Sequence, residues 1–343
     1  SYLMKYVRTE QGFKKFEKWK DKIINVCVDG TMPNIFRRIS QDELKIDIDK
    51  IKNKEKVNQE PIICHITNLK YPNEMYRQIT GLTEGKHIQS YLHSSVMPKA
   101  DIYILECIMR DAEKFVNFKN PCGKLISLVH SGKVSSKYSD KVVVLTESQK
   151  IDNSVVIPCA IDMKYYNHEI DYNNKVYGRI TAYSTGKIHP EFNNVVKRVN
   201  DKTGSKCLMA CCNIKKKSEN IEYIEDLQRH ENERKAKILS RMSIYADMHH
   251  TYKETFSIGL LEAMASGLAI ILYSTIDQQA MWEVLGDAGI ICKSIQEFEE
   301  KLIWLLENPE EKKKLGLKAK ERAKLYSVEN MVNKWNKLFK ELL

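Results

Sequence analysis

Residues Glu254–Ile271 read ETFSIGLLEAMASGLAII. Two acids, Glu254 and Glu262, bracket seven residues that include an aromatic, a glycine and aliphatics, and an Ala/Ser/Gly segment leads into Ile270-Ile271. The pattern predicts a helix starting near Ser257 or Ile258, followed by a strand. At roughly 3.6 residues per turn, Glu262 then lies about one turn inside the helix, while Glu254 sits on the loop that feeds it. Both carboxylates can reach one ligand lying across the helix start. The free amides there, with the positive end of the helix dipole, suit a phosphate, so diphosphate, ribose and sugar hydroxyls form a fitting cargo. Two glutamates at this spacing also arise by chance as surface acids, so the case depends on the surrounding chain.

Working outward, apolar runs alternate with helical patterns on both sides. PIICHIT (61–67), DIYILEC (101–107), KLISLVHS (124–131) and KVVVLTES (141–148) read as strands, and VVIPCAID (155–162) as a turn. A polar segment to about residue 176 reads as a hinge. The grammar then restarts with YGRITAY (177–183), KCLMACC (206–212), NIEYI (220–224), MSIYADM (242–248) and LAIILY (268–273), interleaved with helices. Strands alternating with helices predict parallel sheets covered on both faces. The fold class is therefore α/β, with two halves facing a central cleft, where ligands bind. VENMVNKWNKLFKELL closes the chain as an amphipathic helix that needs a surface to cover. His130 ends the third strand of the first half, and ligands bind beyond the carboxyl ends of such strands. In GRITAYSTGK, Arg179 on a strand and Lys187 eight residues later offer two cations opposite the Glu254 helix. Together with a helix N-terminus they would cradle a diphosphate leaving group.

Composition narrows the class. The 343 residues suffice for two domains, and 43% hydrophobic with 29% charged residues is globular. No run of 18 apolar residues and no signal-like start is present, so the expected location is cytoplasmic. Nine cysteines include no C-x-x-C pair, which argues for buried thiols and against a metal site. Asp47-Ile48-Asp49 is the D-x-D that a metal-dependent sugar transferase needs, but it lies in a lysine-rich alternation of charges. The net charge of +10 is mostly a solvated surface and also tolerates acidic partners. Residues 9–22 place Phe13, Phe16 and Trp19 at helical spacing among lysines, followed by Ile23. This is a packed helix, or one suited to peripheral contact with an anionic membrane. The chain starts with Ser, as a processed product or a piece of a longer multidomain polypeptide would.

The order of VHS, VVIPCAID, GRIT...GK, ETFSIGLLEAMASGLAII and WEVLGDAGIIC resembles the retaining GT-B glycosyltransferases of family 4, most clearly over 142–343. The resemblance implies two Rossmann-like domains, 1–166 with the returning helix 327–343 for the acceptor, and 175–326 for a nucleotide-sugar donor. It implies transfer of a sugar from a nucleotide diphosphate sugar to a hydroxyl of a glycan or glycoconjugate, with retention and with neither metal nor cofactor. By the same resemblance Glu254 approaches the donor sugar, Glu262 binds the ribose, Arg179 and Lys187 hold the diphosphate, and His130 faces the transferred sugar. Ser257, Ile258 and Gly259 supply helix-start contacts, and Tyr223-Ile224 meet the base. Asn68 and Tyr71 fall in the amino-half loop, where this chain has NLKYPNEMY in place of a glycine-rich turn. Ser257 stands where the family usually has Gly, and Cys159-Ala160 where it has Asn-Gly. Two other readings are a GT-B transferase acting on DNA or a lipid carrier, with nucleic acid the weaker partner, and a non-catalytic GT-B domain of a larger protein.

Overall fold

A computed structural model of the chain describes residues 60–67, 79–91, 98–106, 123–129, 139–182, 187–212, 217–227 and 231–343. The expected helix over 9–22, the Asp47/Asp49 pair and the site candidates Asn68, Tyr71 and His130 lie outside the described residues. The first sheet comprises β1 (Ile62–Thr67), β2 (Lys86–Tyr91), β3 (Ile102–Glu106), β4 (Lys124–Leu128), β5 (Lys141–Val144) and β6 (Ser154–Val156). Its strands are all parallel, in the order β2-β1-β3-β4-β5-β6. Ile63, Ile102, Ile104, Ile126 and Val143 are buried, as expected for strands whose Val/Ile runs are covered on both faces.

The second sheet holds β7 (Val176–Ala182), β8 (Lys206–Cys212), β9 (Ile221–Ile224), β10 (Ile244–His249), β11 (Ala269–Ser274) and β12 (Ile290–Cys292). It is also parallel, in the order β12-β11-β10-β7-β8-β9. The expected α/β fold with two parallel sheets is therefore present. Its helices, in chain order, are α1 (Phe192–Thr203), α2 (Asn232–Leu239), α3 (Ile258–Ser266), α4 (Gln279–Leu285), α5 (Ile295–Glu307) and α6 (Pro309–Ala323), followed by the closing α7 (Val328–Leu342). Among the described residues, no helix is long and apolar enough to cross a membrane.

Strand order reverses between β7 and β10, and such a switch point opens a crevice at the carboxyl ends of the strands. Here the opening is direct. The two strands pair only at Tyr177↔Ile244 and Gly178↔Tyr245, and then part. Into this gap comes α3, capped by Ser257, whose hydroxyl accepts from the Leu260 amide at 3.4 Å. The helix ends at Gly267, with φ +86°, a left-handed cap that suits glycine. Residues Leu260 to Ser266 are all buried.

Four elements differ from the sequence expectation. β2 is built from KHIQSY, whose polar character hides an edge strand, and β6 runs into the segment expected as a turn, ending just before Pro158. α4 and β12 are short pieces of seven and three residues, too brief for a period to register.

The closing helix α7 finds its surface on the amino half. Met331, Trp335, Leu338 and Phe339 are buried. Asn336 accepts from the Glu84 amide at 2.9 Å, and Lys340 reaches the Glu84 carboxylate at 3.2 Å. The Phe339 ring lies 6.3 Å from that of His87. Beneath it runs a directed chain. Thr83 donates its hydroxyl to the Ile79 carbonyl at 2.6 Å, so at 2.9 Å it accepts from His87 Nε2. His87 Nδ1 is then an acceptor, and His65 Nε2 donates to it at 3.0 Å.

Burial, reinforced by the facing His87, pushes the His65 imidazole down to about 3, and burial also lowers His87. His65 therefore stays neutral in the fold but takes a proton in the unfolded chain below its ordinary 6.5. Its stabilising contribution is complete above pH 6.5 and is lost as pH falls toward 3. We expect His65→Gln, which keeps a donor toward His87 without titrating, to flatten the acid limb of stability by about 1.4 kcal/mol per pH unit. Urea denaturation between pH 6.5 and 4 measures this, and an unchanged slope would contradict the assignment.

Candidate active site

The crevice between β7 and β10 brings together two of the expected residues. Lys187 follows β7 and Glu254 follows β10, and they form an ion pair at 2.6 Å with both side chains partly exposed. The Lys187 ammonium also stands 4.6 Å from the centre of the Tyr252 ring, within cation–π range. Tyr252 is 42% exposed, so the pair and the ring share the mouth of the crevice.

Arg179 is placed differently. Only 1% exposed, it points into the interior and pairs with Asp247, equally buried, at 2.5 Å. The carboxylate also meets His249 Nε2 at 3.1 Å and the Tyr245 hydroxyl at 3.4 Å. Burial by itself would raise the Asp247 carboxyl, but the Arg179 guanidinium and His249 outweigh it and hold it below the usual carboxylate range. Arg179 reaches the Lys187 segment by a single long bond to its carbonyl, 3.4 Å. The guanidinium therefore sits behind the crevice and acts on the loop that carries Lys187. The Tyr245 hydroxyl donates to the Ile180 carbonyl at 3.4 Å, so side chains bridge β7 and β10 where backbone pairing has stopped.

Gly259 explains how α3 comes so close. A Cβ at this position would lie 2.6 Å from the Ile180 carbonyl oxygen, so only glycine lets the first turn rest against β7. Ser257 supplies the cap, and its carbonyl accepts from Leu261 at 3.1 Å. Ile258 is 43% exposed at the helix start. One turn on, Glu262 is buried and bonded to Lys235 of α2, a partner that nothing in the sequence pattern marks. Tyr223 and Ile224 end β9, two strands from β7, and the Tyr223 hydroxyl accepts from the Ser218 amide at 3.0 Å.

The loop that presents Glu254 is also fixed. Buried Gln278 donates from its amide nitrogen to the Tyr252 carbonyl at 2.7 Å and accepts from the Glu254 amide at 3.0 Å. Sequence reading passed over Asp247, His249, Lys235 and Gln278. A signal existed for Asp247, since an acid inside the apolar run MSIYADM calls for a buried partner, and an arginine sits in the neighbouring strand run. Among the described residues, no group of three or more His, Cys, Asp or Glu side chains is placed to hold a metal ion.

Residues 171–322, from just before β7 to the end of α6, match the family model described as glycosyl transferases group 1. Comparison with curated protein sequences gives no match. Among solved structures, the fold is similar to HepE of Anabaena, crystallised with UDP and glucose. That likeness has 9% identity and a TM-score of 0.64 over 82% of this chain and 100% of that one. A glycosyltransferase of Rickettsia africae ESF-5 gives 13% identity and 0.62 over 82% and 98%. A sucrose-phosphate synthase from Thermosynechococcus elongatus gives 13% and 0.54 over 71% and 74%. At these identities the likeness establishes the two-sheet fold.

Two stability measurements check the geometry. Asp247→Ala strands a buried guanidinium, and breaking such a pair costs about 3–5 kcal/mol; a loss below about 1 kcal/mol in urea denaturation would mean that Arg179 is not held as described. Gly259→Ala should cost about 1–3 kcal/mol through overpacking against β7, and a neutral effect would show that the first turn of α3 can draw back.

Proposed function

We propose, from the match of residues 171–322 to the model described as glycosyl transferases group 1, that this protein is a retaining glycosyltransferase. It moves a sugar from a nucleotide diphosphate sugar to a hydroxyl of a glycan or glycoconjugate. The observation that carries this reading is the Lys187–Glu254 pair at the switch-point crevice, beside the start of α3. The Leu260 and Leu261 amides are taken up by Ser257, and among the described residues this leaves those of Ile258 and Gly259 for a ligand oxygen.

In this scheme the diphosphate lies against the α3 start and the Lys187 ammonium. As the bond from the sugar to the diphosphate breaks, negative charge grows on the leaving oxygen, and a cation with aimed amides stabilises it. Glu254, released from Lys187, accepts hydrogen bonds from the sugar hydroxyls. The acceptor hydroxyl attacks from the face the diphosphate leaves, and a phosphate oxygen takes its proton, so no side-chain base is required. Glu262, held by Lys235, serves the ribose, and Tyr223-Ile224 serve the base. Arg179 supports Lys187 from behind, with Asp247 as its counter-ion. The positive charge at the leaving group comes from the protein, so the scheme needs no metal.

UDP and UDP-glucose are suitable first probes, since HepE was crystallised with UDP-glucose. A ligand that binds only the folded state raises the melting temperature, so a thermal-shift panel of nucleotide diphosphate sugars identifies the donor. With that donor, Lys187→Met should weaken nucleotide diphosphate binding by about 10–100-fold, the worth of a hydrogen bond to a charged group. Glu254→Gln should bind the nucleotide nearly as well as the parent yet lose most turnover. Folded variants that both keep full donor hydrolysis would refute the assignment.

A further inference from the structure

We infer that Gln278 is a positioning residue for the donor acid, fixing Glu254 by standing in for one residue of a β-strand. The inference rests on the role given to Glu254 under Proposed function. In a parallel ladder, one residue donates to the carbonyl and accepts from the amide of the two residues that flank its opposite number. The Gln278 side chain does this to Tyr252 and Glu254, which flank Lys253, at 2.7 and 3.0 Å. β10 ends at His249 and β11 at Ser274. Beyond them, Thr275 continues the contact, with its amide on the His249 carbonyl at 3.4 Å and its hydroxyl on that of His250 at 2.6 Å. Gln278 then carries the pairing to the residue that meets substrate.

The amide can sit in only one sense, because the Tyr252 carbonyl needs a donor and the Glu254 N–H needs an acceptor. Gln278 is 0% exposed, so water cannot replace either bond. Its own carbonyl accepts from Trp282 at 3.0 Å and starts α4, which anchors the clamp to a helix. The consequence reaches the cation as well, since Lys187 stands over the Tyr252 ring and pairs with Glu254. Both of its contacts are set by the backbone that Gln278 holds.

Gln278→Glu separates positioning from bulk. An ionised carboxylate still accepts from the Glu254 amide but turns an oxygen on the Tyr252 carbonyl, whereas a protonated one restores both bonds. With UDP-glucose hydrolysis as the readout, kcat relative to wild type should fall about 10–100-fold at pH 8, the scale of a displacement of about 1 Å, and recover as pH drops to 5.5. Affinity for UDP, which lacks the sugar, should fall by a smaller factor than kcat, since Gln278 reaches Lys187 only through Tyr252 and Glu254. Gln278→Met should speed hydrogen exchange at the Glu254 amide. A Gln278→Glu rate ratio that is flat with pH, or unchanged exchange in Gln278→Met, overturns the inference. If Gln278→Met does not fold, the pH profile of Gln278→Glu decides alone. If wild type neither binds UDP nor hydrolyses UDP-glucose, the donor reading fails for that sugar nucleotide, and exchange at Glu254 still tests the clamp.

Discussion

The site depends on a failure of pairing. β7 and β10 share two register positions and then diverge, and everything that gives the crevice its chemistry fills or spans the opening. The Arg179–Asp247 pair and the Tyr245 hydroxyl tie the strands where the ladder has ended. The first turn of α3 rests against the Ile180 carbonyl because residue 259 has no side chain. If the strands had stayed paired to their ends, Lys187 and Glu254 would be held at ladder spacing, with no room for a ligand between the loops that carry them.

Electrostatics then sorts the charges by depth. Asp247 with Arg179, and Glu262 with Lys235, are sealed from water, whereas Lys187 with Glu254 remains accessible. Buried pairs are costly to separate, and partly solvated ones exchange partners readily. The ions of the outer pair are therefore the easier to part, while the inner pairs stay together, so that under the proposed function Glu262 meets the ribose without leaving Lys235. This separates the two expected cations, Lys187 at the accessible mouth of the crevice and Arg179 behind it, holding the strand end in place.

Much of this fold was legible in the chain. Runs such as KVVV and LAIILY could only be buried strands, and the helix starting after ETFS announced itself through Ser257 and the following aliphatics. Short or polar pieces escaped: KHIQSY lacks the apolar signature of an inner strand, and three residues of β12 carry no period. Within the site, Glu254 and Lys187 were found as residue types in a sensible order, but their pairing was not. The burial of Arg179 could not be read, because the orientation of a strand residue depends on register with β10, some seventy residues later. Lys235 and Gln278 were invisible for a similar reason. Each acts through a single contact set by tertiary placement, with no recurring spacing behind it.

The two halves of the chain also meet at α4. The Glu283 carboxylate of α4 accepts from the backbone amides of Glu147 and Ser148 at 2.7 and 2.9 Å, just after β5. The acid reads main chain alone, so a change of side chain at positions 147 and 148 does not by itself remove either bond. Proline is the exception, because it has no amide hydrogen to offer. For these two bonds the mutational burden falls on Glu283.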